Sequence, residues 1–182
     1  MEKKVGPIQD WRNTRESWDE YYMHLAIATA MRSSCWVNHV GALIVQDKRV
    51  IASGYNGRAA DDPTNCLDEG CIKEARGVKE LNQATCAGCH AETNALLQPT
   101  AVPKQGAVIY TTISPCYSCA KQISSARLSE VVYMYKYIKE FEQTKEQLHR
   151  VGIVLRQFIP TQEKLRGGIE ALFAEYAEKY QK

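Results

Sequence analysis

Two stretches hold residue types that bind and use a transition metal: Cys86-Ala-Gly-Cys89-His90-Ala91-Glu92, and later Pro115-Cys116-Tyr117-Ser118-Cys119. A borderline-soft ion such as zinc takes imidazole nitrogen and thiolate sulfur tetrahedrally, and a catalytic site leaves one corner to water. His90, Cys116 and Cys119 supply three such ligands. Glu92, two residues past His90, falls close to the ion without needing to bind it. There a carboxylate takes a proton from the water and hands it on. Pro115 suits the first turn of a helix, from which Cys116 and Cys119 project on one face. The positive end of that helix and the metal itself both favour thiolate. A lone Cys-x-x-Cys reads equally as a redox pair or half of a structural zinc site. The competing reading makes His90 and Glu92 the start of a surface helix and the cysteines core thiols.

These residues need a scaffold, and the patterning supplies one. Ser17 and Glu20 form a capping box, and Trp18, Tyr21, Leu25, Ala28 and Met31 continue at helical spacing, so a first helix is predicted over 17–33. Two apolar, branched runs, 40–45 and 49–55, flank Gln46-Asp47-Lys48 and predict a hairpin of buried strands. Gly54-Tyr55-Asn56-Gly57 closes it, with glycines that let backbone come close to a ligand and with Asn56 as a ligand contact or a turn residue. Helices are expected over 90–98, from Pro115 to about 127, and over 138–151, with strands at 107–113, 130–134 and 153–156. A last helix within 161–181 aligns Leu165, Ile169, Leu172, Phe173, Tyr176 and Tyr180 in one stripe, expected to pack on its own sheet. This order implies an α/β fold, a three-layer α/β/α sandwich around a mixed sheet of about five strands. The starts of the second and third helices would converge at one sheet edge.

From Arg58 to Thr85 there is little periodicity, and a loop of that length must be held by something. Cys66, Cys71 and Cys86 lie in or beside it, and Cys35 follows the first helix. A structural zinc site of Cys35, Cys66, Cys71 and Cys86 would pin this insertion, at about 58–89, with Cys89 able to replace Cys35. Buried free thiols are the alternative. Length bounds the rest: 182 residues make one domain with a real core. A formal charge of +2, with cations spread along the chain, gives no footprint for a polyanion. No export signal or membrane-spanning run is present, and seven cysteines without such a signal point to metal in a reducing, cytoplasmic setting.

His-x-Glu followed by Pro-Cys-x-x-Cys is the signature of zinc deaminases. Several stretches together resemble the deoxycytidylate (dCMP) deaminases of the cytidine deaminase superfamily. They are Cys35 with 39–45, Gly54-Tyr55-Asn56-Gly57, Cys66-x4-Cys71, Cys86-x3-His90-Ala91-Glu92-x-Asn94-Ala95 and Ser114-Pro115-Cys116-x-x-Cys119-Ala120-Lys121. The resemblance spans about 17–158. It implies His90, Cys116 and Cys119 as zinc ligands, Glu92 as proton shuttle, Asn56 and Ala91 beside the substrate, and a second zinc on Cys35 and the insertion cysteines. It further implies hydrolysis of the 4-amino group of dCMP to dUMP and ammonia, a homo-oligomer such as a hexamer, and regulation by dCTP and dTTP with Mg2+ beside the effector. One segment departs from the family: Arg58-Ala59-Ala60-Asp61-Asp62 stands where a small loop with proline and glycine is usual. Arg58 there becomes a candidate phosphate ligand. Other readings of the same chemistry are a deaminase of another cytosine nucleoside or nucleotide, or of a base in RNA or DNA. A non-catalytic zinc-binding module is the reading of another class, and Glu92 speaks against it.

Overall fold

The computed structural model describes residues 15–77, 86–100, 103, 105–163, 166–170, 172 and 177. The first helix, α1 (Trp18–Ala30), starts as the capping box requires: the Ser17 hydroxyl accepts from Glu20 N–H at 3.2 Å, and the Glu20 carboxylate accepts from Ser17 N–H at 3.0 Å. Strands β1 (Gly41–Gln46) and β2 (Arg49–Tyr55) form the expected antiparallel hairpin, joined at Asp47 and Lys48, both with positive φ. Two positive φ values in a two-residue connection match the right-handed twist of the flanking strands.

Beyond β2 the chain makes a short strand, β3 (Gly57–Arg58), then the helices α2 (Cys66–Glu69) and α3 (Ile72–Ala75) of the insertion. It returns through β4 (Gly88–Cys89), which pairs antiparallel with β3, into α4 (Ala91–Leu97). Strand and helix then alternate: β5 (Val108–Ile113), α5 (Tyr117–Ser125), β6 (Glu130–Tyr135), α6 (Phe141–Arg150) and β7 (Val154–Gln157). The five main strands lie in the order β2-β1-β5-β6-β7, antiparallel at the first two pairings and parallel at the last two. This is the mixed five-stranded sheet that the sequence predicts.

Alternation along the strands sorts the core into two layers. Leu43, Val45, Tyr110 and Val132 face α1 through Tyr22, Met23 and Ala26. Ala42, Ile44, Ile109 and Val131 face Ala91, Ala95, Ala120, Ile123 and Leu148 of α4, α5 and α6. Two glycines set how closely helices approach. A Cβ on Gly41 would fall 2.1 Å from Ala26 O, and one on Gly54 would fall 2.3 Å from Ala91 O and 2.4 Å from Ala95 N. The glycine expected to admit a ligand, Gly54, therefore admits helix α4. Of the C-terminal stripe, only Ile169 and Leu172 lie among the described residues; both are helical, and Ile169 is exposed.

Candidate active site

β2 and β5 both run antiparallel to β1, so their carboxyl ends share one edge of the sheet. At that edge the β3/β4 ribbon delivers His90 to the start of α4, and β5 runs through Ser114 and Pro115 into α5. His90 and Cys116 are the N-cap residues of their helices. Pro115 lies one position outside the helix rather than in its first turn, fully buried, with its carbonyl accepting from the Thr144 hydroxyl at 3.1 Å. The Cys116 sulfur accepts from Cys119 N–H at 3.4 Å, the usual N-cap contact made by a thiol.

This placement gathers the three ligand candidates. His90 Nδ1 lies 3.5 Å from Cys116 Sγ and 3.5 Å from Cys119 Sγ. The three donor atoms fall within 4.8 Å of one another, and among the described residues no other group of three or more histidines, cysteines or acids does so. Hydrogen bonds from Cys119 and His90 draw the Cys116 thiol down to about 4, whereas its bond to Cys116 and burial push Cys119 up. The hydrogen bond to Cys116 also lifts His90 above the ordinary imidazole value against the effect of burial. One imidazole and two thiols already sharing protons at contact distance are the donor set that zinc takes. Thr93 of α4 braces the cluster from outside, with its hydroxyl 3.8 Å from Cys119 Sγ and donating to Gln122 of α5 at 2.9 Å.

Glu92 lies in the first turn of α4 and is 3 % exposed. Burial pushes its carboxyl up to about 6, against the opposing charge of His90. A carboxyl poised there exchanges protons in both directions near neutral pH. The site is held in register by short bonds: Asn94 Nδ2 donates to Tyr55 O at 2.8 Å, and Glu140 accepts from Tyr117 N–H at 2.8 Å, a carboxylate at the positive end of α5.

One cavity contains Glu92, His90 and Cys116, and it is lined also by Ala91, Asn56, Lys73 and by Cys35, Cys66, Cys71, Cys86 and Cys89. All seven cysteines are free thiols. The sequence-derived zinc set of Cys35, Cys66, Cys71 and Cys86 thus shares the cavity, but no three of its sulfurs meet the spacing that the His90 cluster meets. Asn56 lines the cavity, and its amide holds the loop after α1, accepting from Ser33 Oγ at 2.7 Å and Val40 N–H at 2.8 Å and donating to Asn38 O at 2.8 Å. Arg58 turns toward the insertion: it donates to Glu69 at 2.9 Å and to Thr64 Oγ1, with Asp62 at 3.6 Å. Its charge is met there. Sequence reasoning passed over Lys73 altogether, because a lysine in an aperiodic loop carries no pattern until the fold brings it to a cavity.

Fold and cluster together place a candidate metal-binding site at the sheet edge of an α/β/α sandwich. The sequence pattern of the family described as "Cytidine and deoxycytidylate deaminase zinc-binding region" matches residues 16–135, and the chain belongs to that family. It is 40% identical over 163 residues to a deoxycytidylate deaminase of Saccharomyces cerevisiae, covering 89% of this chain and 50% of that protein. It is 31% identical over 168 residues to the human deoxycytidylate deaminase, covering 90% and 92%. The chain thus spans about half the length of the yeast relative and nearly all of the human one. Among solved structures, the dCMP deaminase of cyanophage S-TIM5 in complex with dCMP and dUMP superposes with a TM-score of 0.60 at 27% identity, over 76% of this chain and 95% of that one.

Proposed function

We propose that this chain hydrolyses the exocyclic 4-amino group of dCMP, giving dUMP and ammonia. The observation that carries the reading is a fully buried glutamate, titrating near neutrality, in the same cavity as a His/Cys/Cys cluster. His90 Nδ1, Cys116 Sγ and Cys119 Sγ would hold zinc, which when bound acidifies a coordinated water and so supplies the nucleophile. Glu92 would take one proton from the attacking water and deliver it to N3 as the oxygen adds to C4, then take the remaining proton of the C4 hydroxyl and pass it to the amine, so that C4=O forms as the C4–N bond breaks. One water enters and one ammonia departs. Ala91 and Asn56 border the base and sugar, Ala91 through its place between the ligand and the shuttle.

The same reading takes the chain as one catalytic domain with an insertion, acting in the cytoplasm as a homo-oligomer, a hexamer by family habit. Among the described residues no helix is long and apolar enough to cross a membrane. The cysteines at 35, 66, 71 and 86 would hold a second, structural zinc once their thiolates close on it, and dCTP and dTTP would act as effectors, with Mg2+ beside the bound nucleotide. Support comes from the deoxycytidylate deaminase relatives and from the shared cavity. Steady-state rates on dCMP, deoxycytidine, dCTP and a single-stranded oligonucleotide, with and without dCTP, test the activity; dCMP is expected to be the best substrate. A protein active on the oligonucleotide and inert on dCMP would overturn it. Metal analysis is expected to find two zinc ions per chain, and one ion bound by His90, Cys116 and Cys119 would remove the second site.

A further inference from the structure

Substrate recognition by this site raises a question of charge. At neutral pH a phosphate monoester carries close to two negative charges, and the chain as a whole carries only +2, so no broad field guides a nucleotide to the cavity. Within the cavity the fixed charge runs the wrong way. Two thiolates neutralise a divalent ion, and the Glu92 carboxylate, when ionised, adds a negative charge. A cation placed at the wall is needed to offset this.

Arg58 does not fill that need in the present arrangement, since Glu69 and Asp62 already match its guanidinium. Lys73 is different. It is half-buried on α3, and among the described residues it is the only lysine or arginine lining the cavity that holds Glu92, His90 and Cys116. Neither a hydrogen bond nor an ion pair engages it among those residues. A half-buried ammonium with no hydrogen-bonded or ion-paired partner of its own is free to pair with an incoming anion.

The insertion is built to keep that lysine in place. Asn65 caps α2, its side-chain oxygen accepting from Leu67 N–H at 2.8 Å and Asp68 N–H at 3.2 Å. Arg58, on the β3/β4 ribbon that feeds His90 into the site, bonds Glu69 at the last residue of α2. Ribbon and insertion are thereby one piece, and α3 begins three residues after that ion pair. We infer that Lys73 recognises the phosphate of the substrate and makes the site select a cytosine nucleoside monophosphate over the free nucleoside. Lysine suits this task as a mobile point charge on a long stem. The inference rests on the dCMP reading above and adds the residue that carries its phosphate specificity; Arg58 then acts as the positioning residue for the insertion.

Binding separates this inference from that reading. Titrating zinc-loaded wild type with dUMP and with deoxyuridine, by calorimetry, is expected to show a preference for the nucleotide. Lys73→Gln should lower dUMP affinity about tenfold, the scale of one charge-assisted contact, while deoxyuridine affinity stays the same and reports an intact cavity. Lys73→Arg should restore most of the nucleotide preference. Added salt should weaken dUMP binding to wild type and leave the Gln variant nearly indifferent. Equal preference for dUMP in wild type and Lys73→Gln, or a parallel loss of both ligands, would overturn the role of Lys73. Turnover of dCMP by wild type is scored separately: inactivity there would sink the dCMP reading, while the binding ratio still decides whether Lys73 reads a phosphate.

Discussion

The burial that poises the Glu92 carboxyl for its proposed proton transfers also strains the fold that holds it. Its carboxyl is raised from 4.5 to about 6, mainly by desolvation. A raised acid binds its proton more tightly when folded, so its contribution to stability is full below 4.5 and is lost as pH climbs through about 6. Glu92→Gln removes that loss. In chelated protein the variant is expected to be more stable than wild type at pH 7, by up to about 2 kcal/mol, with the gap closing below the ordinary carboxylate value. Urea midpoints at the two pH values measure it. The same variant should keep its zinc and lose at least about a hundredfold in turnover, the low end of acid/base contributions; near-normal turnover would remove Glu92 from the mechanism. The four chemical residues were legible in the sequence because metal chemistry restricts residue type and spacing together. Arg58 and Lys73 were not. Which of two cations faces an acid and which faces a cavity is decided by the packing of an aperiodic insertion.

The elements that carry these residues depend on backbone contact. Gly54 lets α4 rest on β2 with almost no side chain between them, since a Cβ there would lie 2.4 Å from Ala95 N. Gly54→Ala must therefore displace the helix that bears His90 and Glu92. Overpacking of this kind costs about 1–3 kcal/mol, and the expected signature is a lower denaturation midpoint together with weaker zinc binding, read by competition with a chromogenic chelator. A variant with unchanged zinc affinity would show that the strand, not the helix, gives way. Helix and strand periods located α1, the hairpin and the later β-α alternation to within a few residues, because each buries a continuous face. The β3/β4 ribbon and the four-residue helices α2 and α3 escaped that reasoning. They are shorter than either period needs to register, and the Asn65 cap on α2, the Arg58–Glu69 ion pair and the β3/β4 pairing hold them instead of an apolar stripe.

Across the whole molecule, remote parts of the chain meet on the side of the sheet that carries α1. Arg156 of β7 bonds both carboxylate oxygens of Asp19 in α1, at 2.9 and 3.0 Å, and also Glu130 of β6 at 2.7 Å, while the Tyr110 hydroxyl donates to Asp19 at 2.7 Å. Burial pushes the Asp19 carboxyl up, but the bonds from Arg156 and Tyr110 and the nearby positive charge outweigh it and hold it below 3.8. A depressed acid stabilises the fold above its unfolded value and loses that contribution as pH falls through the folded one. Asp19→Asn is expected to destabilise the protein at neutral pH by about 1 kcal/mol, since solvent screens a partly exposed pair. The difference should shrink in acid, as urea midpoints at pH 7 and pH 3 would record. An equal deficit at both pH values would mean the bonds matter and the charge does not.

Gly41 and Gly54 occupy neighbouring, diagonally offset positions on the paired strands, one touched by α1 and the other by α4. At that corner little more than bare main chain separates α1 from α4, which carries Glu92, and there is no compressible layer of side chains to absorb a push. A bulky residue at Ala30, which lies against Gly41 and is not itself part of the cavity lining, should therefore slow turnover by shifting Glu92. Anything that leans on the outer surface of α1 has a short mechanical route to α4 and Glu92.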